Sequence, residues 1–242
     1  MRKFLLAVLA ALVLAGSAGA GRASELSDFN DATAEAYRHY RAAVSYLRTG
    51  NAALAAIELE AAAGRWRDVT GRFAANPPDA FAGDPAWGAT LTGIGQSIGQ
   101  ALTSTDAGDL KRARETLAPV RGELGALRRR NGVIVFSDRV DEVTAAMDRL
   151  WRFRHERPDF GAAGTLRELT RGTAVLEHLL QRCQEEAPAA LRNDPDFVRF
   201  LDSAAEGMER LWQAIEGRDE QLLINTLREL RSFERLFFLR FG

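Results

Sequence analysis

Cysteine is nearly absent from this chain of 242 residues: Cys183 stands alone, which excludes an internal disulfide and any paired-cysteine metal site. Histidine is almost as scarce. His39, His155 and His178 are preceded three positions earlier by Ala36, Arg152 and Val175, so the paired Glu-x-x-His motif of a di-iron bundle is missing. The H-x-x-x-H spacing of the usual zinc helices is missing too. Lysine occurs only as Lys3 and Lys111, and 32 basic residues against 33 acidic ones leave no positive excess to hold a nucleic acid. Long apolar runs are limited to Phe4–Gly16, which falls short of the roughly 20 apolar residues a spanning helix needs.

That single run has the layout of a secretory signal peptide. Arg2 and Lys3 form its positive start, and Ala18-Gly19-Ala20 offers a small-residue cleavage site, with Gly21-Arg22-Ala23 as a later alternative. Residues 1–20 are therefore expected to be removed and the remainder to work in the periplasm or an equivalent exported space, with no membrane insertion of the mature chain. Losing Arg2 and Lys3 shifts the net charge from −1 to −3.

The mature part reads as all-α and as one unit used twice. Sliding the chain against itself by about 110 positions places Ser27-Asp28 on Ser137-Asp138, Pro78 on Pro188, Asp84-Pro85 on Asp194-Pro195, Asp109 on Asp219 and Gly132 on Gly242. The apolar stripes keep phase. Leu59, Ala62, Trp66, Val69 and Phe73 step by three and four, and Leu169, Gly172, Leu176, Leu179 and Cys183 occupy the same helical face. Leu110, Ala113, Leu117, Val120, Leu124 and Leu127 form a second stripe, repeated by Leu223, Leu227, Leu230 and Phe237.

Caps and breakers predict four helices in residues 21–132, roughly 28–48, 52–74, 85–104 and 108–130. In residues 133–242 they predict 138–156, 162–185, 195–216 and 218–240. An aspartate before a proline, as at Asp84 and Asp194, suits a helix start, because the carboxylate accepts free amides and proline fits the first turn. Val133–Phe136 is the only strand-like piece. Two tandem four-helix up-and-down bundles are the simplest closure.

Few residues suggest chemistry. Gly95-Gln96-Ser97-Ile98-Gly99 matches the G-x-S-x-G pattern, but a hydrolase needs it on a strained turn after a strand. Here it lies within a predicted helix among Leu91, Ile94, Ile98 and Leu102, where the glycines would let a neighbouring helix approach. Cys183 sits on a core stripe and His39 and His155 near helix ends, so a buried inert thiol and partly exposed imidazoles are expected. Arg128-Arg129-Arg130 reads as a solvated helix end favoured by the dipole. The candidate partner or inter-unit surface is aromatic: Trp151, Phe153, Trp212, Phe233, Phe237, Phe238 and Phe241. A charge at Phe238 or Phe241 is expected to weaken association and spare the fold.

A four-helix unit of this length in an exported protein resembles the cytochrome c′ and cytochrome c556 family, whose fourth helix carries C-x-x-C-H. In the first unit Leu124-Gly125-Ala126-Leu127-Arg128 lies about where that motif would fall, and in the second Glu234, Phe237 and Phe238 do. The resemblance implies an inherited scaffold without covalent haem, since neither stretch contains the thiols or the histidine. No catalytic, cofactor or metal residues are assigned. The expected function is a non-enzymatic binding or accessory subunit for another exported or membrane-bound protein, with a homodimer left open. The alternative is a carrier of a small apolar ligand or noncovalent haem in a bundle pocket, for which the glycines at 95 and 99 could leave space.

Overall fold

The computed structural model describes residues 25–155 and 158–242, and among them every regular element is a helix or helical turn. The chain is all-α, as its periodicity predicts. The signal segment lies outside the described residues, as does the predicted helix end at Glu156. Two compact units divide between Ile134 and Val135.

The first unit contains α1 (Arg2–Thr49, of which residues 25–49 are described), α2 (Ala52–Phe73), α3 (Trp87–Asp106) and α4 (Leu110–Arg130). Each packs on the next, and α4 returns to α1. The stripe Leu59, Ala62, Trp66, Val69 and Phe73 is buried throughout, as are Ala113, Leu117, Val120, Leu124 and Leu127 on α4. A buried leucine contributes about 1.5–3 kcal/mol relative to an exposed one, so these stripes, and not crosslinks, hold the helices together. Gly50 takes φ +81° to end α1, and Asn51 then accepts the Leu54 amide at 3.1 Å to start α2.

The second unit contains α5 (Phe136–Trp151), α6 (Ala163–Glu186), the short α7 (Ala189–Arg192), α8 (Pro195–Glu216) and α9 (Glu220–Phe241). The neighbours are α5 with α6, α6 with α8, α8 with α9, and α9 with α5. The predicted α6 stripe holds at Leu169, Leu176 and Cys183, with Thr173 and Leu180 buried beside them. Leu179 is half-buried.

Backbone hydrogen bonds recur at the shift that aligns the two halves of the sequence. Phe81 N donates to Pro78 O at 2.8 Å and Leu191 N to Pro188 O at 2.9 Å; Asp84 N donates to Phe81 O at 3.0 Å and Asp194 N to Leu191 O at 2.9 Å. Asp109 N donates to Ser104 O and Asp219 N to Ala214 O, both at 2.9 Å. Asp109 then caps the Arg112 amide and Asp219 the Leu222 amide, again both at 2.9 Å. The residue before each cap is left-handed: Gly108 at φ +77° and Arg218 at φ +52°.

Several boundaries differ from expectation. The loops after Pro78 and Pro188 contain helical turns, at Asp79–Phe81 and α7. Helix α3 starts at Trp87 and not Pro85; Asp84 Oδ1 accepts the Ala86 amide at 2.9 Å, and its second carboxylate oxygen holds Arg130 and Asn131 at the end of α4. Helix α5 gives way at Trp151 to a 3-10 turn, Arg152–Arg154. The link before α5 forms no strand: Val135 is extended, and its amide donates to the Asp138 carboxylate at 3.1 Å as the helix begins. Arg128 corrects the solvated-end reading. It is only 3% exposed, lying four residues beyond Leu124 on the core-facing side of α4.

Candidate functional site

Asp194 accepts the amides of Asp196 at 2.7 Å and Phe197 at 3.3 Å, which fixes the start of α8 and places Phe197 and Phe200 on one side of it. Along α9, Phe233, Phe237 and Phe241 are spaced by four and so share a face. The two sets meet: Phe197 lies 5.2 Å from Phe241, and Phe200 lies 5.2 Å from Phe233 and 5.7 Å from Phe241, between ring centroids. Phe237 stacks on Phe233 at 5.9 Å and is fully buried. Three of the candidate aromatics are thus joined within the second unit, by two phenylalanines of α8 that the sequence reading left out. Their i, i+3 spacing was the available signal.

Phe238 and Phe241 are buried as well. A charge at either would be buried, at Phe241 among Phe197, Phe200 and Phe237, so the expectation that such changes spare the fold is corrected. Phe153 is buried, while Trp151, Trp212 and Phe233 are half-buried. The exposed apolar side chain on this helix is Leu236, at 53%.

Trp151 belongs to a separate polar joint between α5 and α9. The Arg154 guanidinium lies 4.1 Å from its ring centroid and that of Arg231 5.8 Å. Arg231 pairs with Asp148 at 2.6 Å and with Glu234 at 3.3 Å, and Thr144 donates to the other carboxylate oxygen of Glu234. These contacts pair 144 with 234 and 148 with 231, so α5 and α9 run antiparallel. A buried carboxylate must be paired to persist, and here a hydroxyl and a guanidinium supply the pairing.

The other candidates are set apart from one another. Ser97 sits within α3, half-buried, with a helix on both sides of it. Gly95 does permit close packing, but of a side chain: a Cβ there would lie 3.1 Å from Trp66 Cδ1, and Trp66 Nε1 donates to Leu91 O at 2.8 Å. The indole occupies the space that a ligand would need. Gly99 has nothing within 4 Å of its Cβ position. His39 Nδ1 meets Glu58 Oε2 at 2.7 Å, joining α1 to α2, while His155 and His178 are exposed.

Cys183 is fully buried, and burial pushes its thiol up to about 12, so it stays protonated and unreactive near neutral pH. Around it, Arg139 and Glu142 of α5 alternate with Arg182 and Glu186 of α6. Glu186 is held below the usual carboxylate range by hydrogen bonds from Arg139 and then Arg182, and Arg182 is raised chiefly by its bond to Glu186. This closed set of two positive and two negative groups joins the helices.

The stretches aligned with C-x-x-C-H are filled. Leu124, Leu127 and Arg128 are buried in the first unit, and Glu234, Phe237 and Phe238 in the second. Among the described residues no group of three or more His, Cys, Asp or Glu is arranged to hold a metal. No helix among them is long and apolar enough to cross a membrane. The chain is thus an all-helical protein whose polar clusters join its own helices. No family model, curated protein or solved structure matches it.

Proposed function

We propose that this chain is an exported, non-enzymatic protein, built from two copies of one four-helix unit, that serves as a binding or accessory subunit of another exported or membrane-bound protein. The observation that carries the reading is where its chemical groups are spent. The Arg139, Glu142, Arg182 and Glu186 set and the Thr144–Glu234–Arg231–Asp148 chain each join one helix of a unit to another, and Asp84 ties the turn before α3 to the end of α4. The buried thiol is protonated, and Ser97 lies mid-helix. What remains for recognition is surface.

The repeat reading draws support from the hydrogen bonds that recur at matching positions of the two units and from the left-handed residue before each fourth-helix cap. The cytochrome c′ reading is proposed for the scaffold alone, since buried leucine, arginine, glutamate and phenylalanine side chains occupy the positions of the haem motif. Crosslinking of the native chain in its own cell envelope, followed by mass spectrometry, tests the function. One partner recovered reproducibly is the expected result, and the chain recovered alone in repeated experiments contradicts it. Ser97→Ala should leave the crosslinking pattern unchanged.

A further inference from the structure

In the first unit the seam between α2 and α3 is closed by Trp66, seated against Gly95. The matching positions of the second unit are Leu176 and Ala205. A leucine does not reach as far as an indole, and between α6 and α8 an open cleft of about 140 Å³ remains. Leu180, Leu201, Ala205 and Met208 form its apolar lining, and Gln181 and Gln184 line it from α6. Glu177 and Glu209 supply the charges, one from each helix, and no basic residue lines it. Trp212, one turn beyond Met208, donates to Glu177 at 3.1 Å.

The negative charge continues along α8. Asp202, Glu206 and Glu209 are all exposed, spread over about 10 Å of helix. Among the described residues the ion pairs of α8 are those of Asp196 with Arg199 and Arg240 and of Arg210 with Glu229, and none neutralises this stripe. Like charges four apart, as at Asp202 and Glu206, are mildly destabilising in isolation. An apolar cleft lying along two helices, with uncompensated carboxylates over two turns, is complementary to one kind of occupant. That occupant is a helix with an apolar ridge flanked by lysine or arginine.

We propose that the α6–α8 cleft of the second unit is the docking groove for a basic amphipathic helix of the partner. This deepens the accessory-subunit reading and rests on it. Met208 supplies a flexible floor that adapts to an inserted side chain, and Glu177 and Glu209 select for positive charge beside it.

The mature chain reports on this directly through methyl-labelled methionine, because Met208 lies in the cleft and the buried Met147 of α5 serves as internal control. The probe is a helical peptide of about five turns, built of leucine and lysine at amphipathic spacing, with a leucine–glutamate peptide as counterpart. A saturable shift of the Met208 methyl signal by the lysine peptide alone is expected, with Met147 unmoved. Ala205→Trp, which fills the cleft from an exposed position, should weaken binding about tenfold or more, and Glu209→Gln about threefold. No Met208 shift, an equal shift with the glutamate peptide, or binding unchanged in both variants overturns the groove. In the cell envelope, the same partner crosslinked equally by wild type and A205W sinks the groove but leaves the accessory reading standing. A wild-type chain recovered alone sinks that reading itself.

Discussion

At the end of the first unit where α1, α2 and α3 converge, Phe29, Phe73, Phe81 and Trp87 meet with ring centroids 4.9–5.4 Å apart. The matching positions of the second unit are Arg139, Cys183, Leu191 and Phe197, and there the helices are joined by arginine–glutamate pairs over a buried thiol. At the close of the fourth helix an arginine–aspartate pair recurs, Arg130 with Asp84 and Arg240 with Asp196, but the side chains beside it differ. The first unit uses Arg130 and Asn131 on Asp84, at 2.6 and 2.7 Å, with Thr90 beside them; the second packs Phe200 and Phe241 at 5.7 Å. Turn chemistry and stripe phase are common to both units, while the filling at this end is interchangeable between aromatic contact and ion pairs. Only interior packing demands shape, so a pair of helix ends held either way leaves the backbone the same.

The comparison breaks most sharply at Phe29. Phe29→Ala should cost about 3–5 kcal/mol, because a fully buried ring surrounded by three others leaves a cavity. Arg139→Ala, its counterpart, should cost about 1 kcal/mol, because Glu186 keeps Arg182. Denaturant unfolding of both variants measures the difference, and equal losses would show that the ion pairs hold the second unit as firmly as the rings hold the first.

Gly95→Val tests whether the Trp66 seat closes the seam. Its Cβ meets the indole at 3.1 Å, so overpacking should cost about 1–3 kcal/mol and shift the tryptophan emission. Ala205→Val, at the open cleft, should cost less than about 0.5 kcal/mol.

Arg218→Gly should stabilise the second unit by about 1 kcal/mol, since arginine there holds φ +52°, which glycine adopts without penalty. Gly108→Arg should destabilise the first unit by a similar amount, and thermal melts of the pair check the sign of each.

The smallest effect is the response to acid. Burial raises the Asp84 carboxyl, but hydrogen bonds from Asn131, the Ala86 amide and Arg130 together outweigh it and hold the group below its ordinary value. A folded-state pKa below the unfolded one stabilises the fold above the ordinary aspartate range near 4, and that contribution is lost as pH falls through the depressed value. Asp84→Asn should therefore flatten the decline in melting temperature below pH 4, and Glu186→Gln should do the same through the second unit. An unchanged acid profile in both variants would remove the ion pairs from the account.

Much of this architecture is legible in the residues because helix periodicity and caps are local signals. The predicted Pro195–Glu216 helix is α8 to the residue, with Asp194 accepting the amides of both Asp196 and Phe197. The same dipeptide misleads at Asp84, which caps only the Ala86 amide and whose other oxygen is held by residues 46 and 47 positions away. Arg128 was hidden for a related reason: charge argues for solvent, and only its place four residues after Leu124 argues for the core. The candidate aromatics were readable as a group but not as a packed set, because their partners Phe197 and Phe200 lie on another helix. The cleft is a difference between two pairs of positions, Trp66 with Gly95 and Leu176 with Ala205. It emerges only when the proposed repeat alignment is combined with the packing.

Residue-resolved hydrogen exchange bears most directly on the proposal that one unit is used twice. The amides of Phe81, Asp84, Asp109 and Ala113 should each show the same rank of protection within their unit as Leu191, Asp194, Asp219 and Leu223 show in theirs, because each pair donates to carbonyls at matching positions. Protection in one unit with free exchange at the matching positions of the other would contradict the claim that one helical unit is built twice.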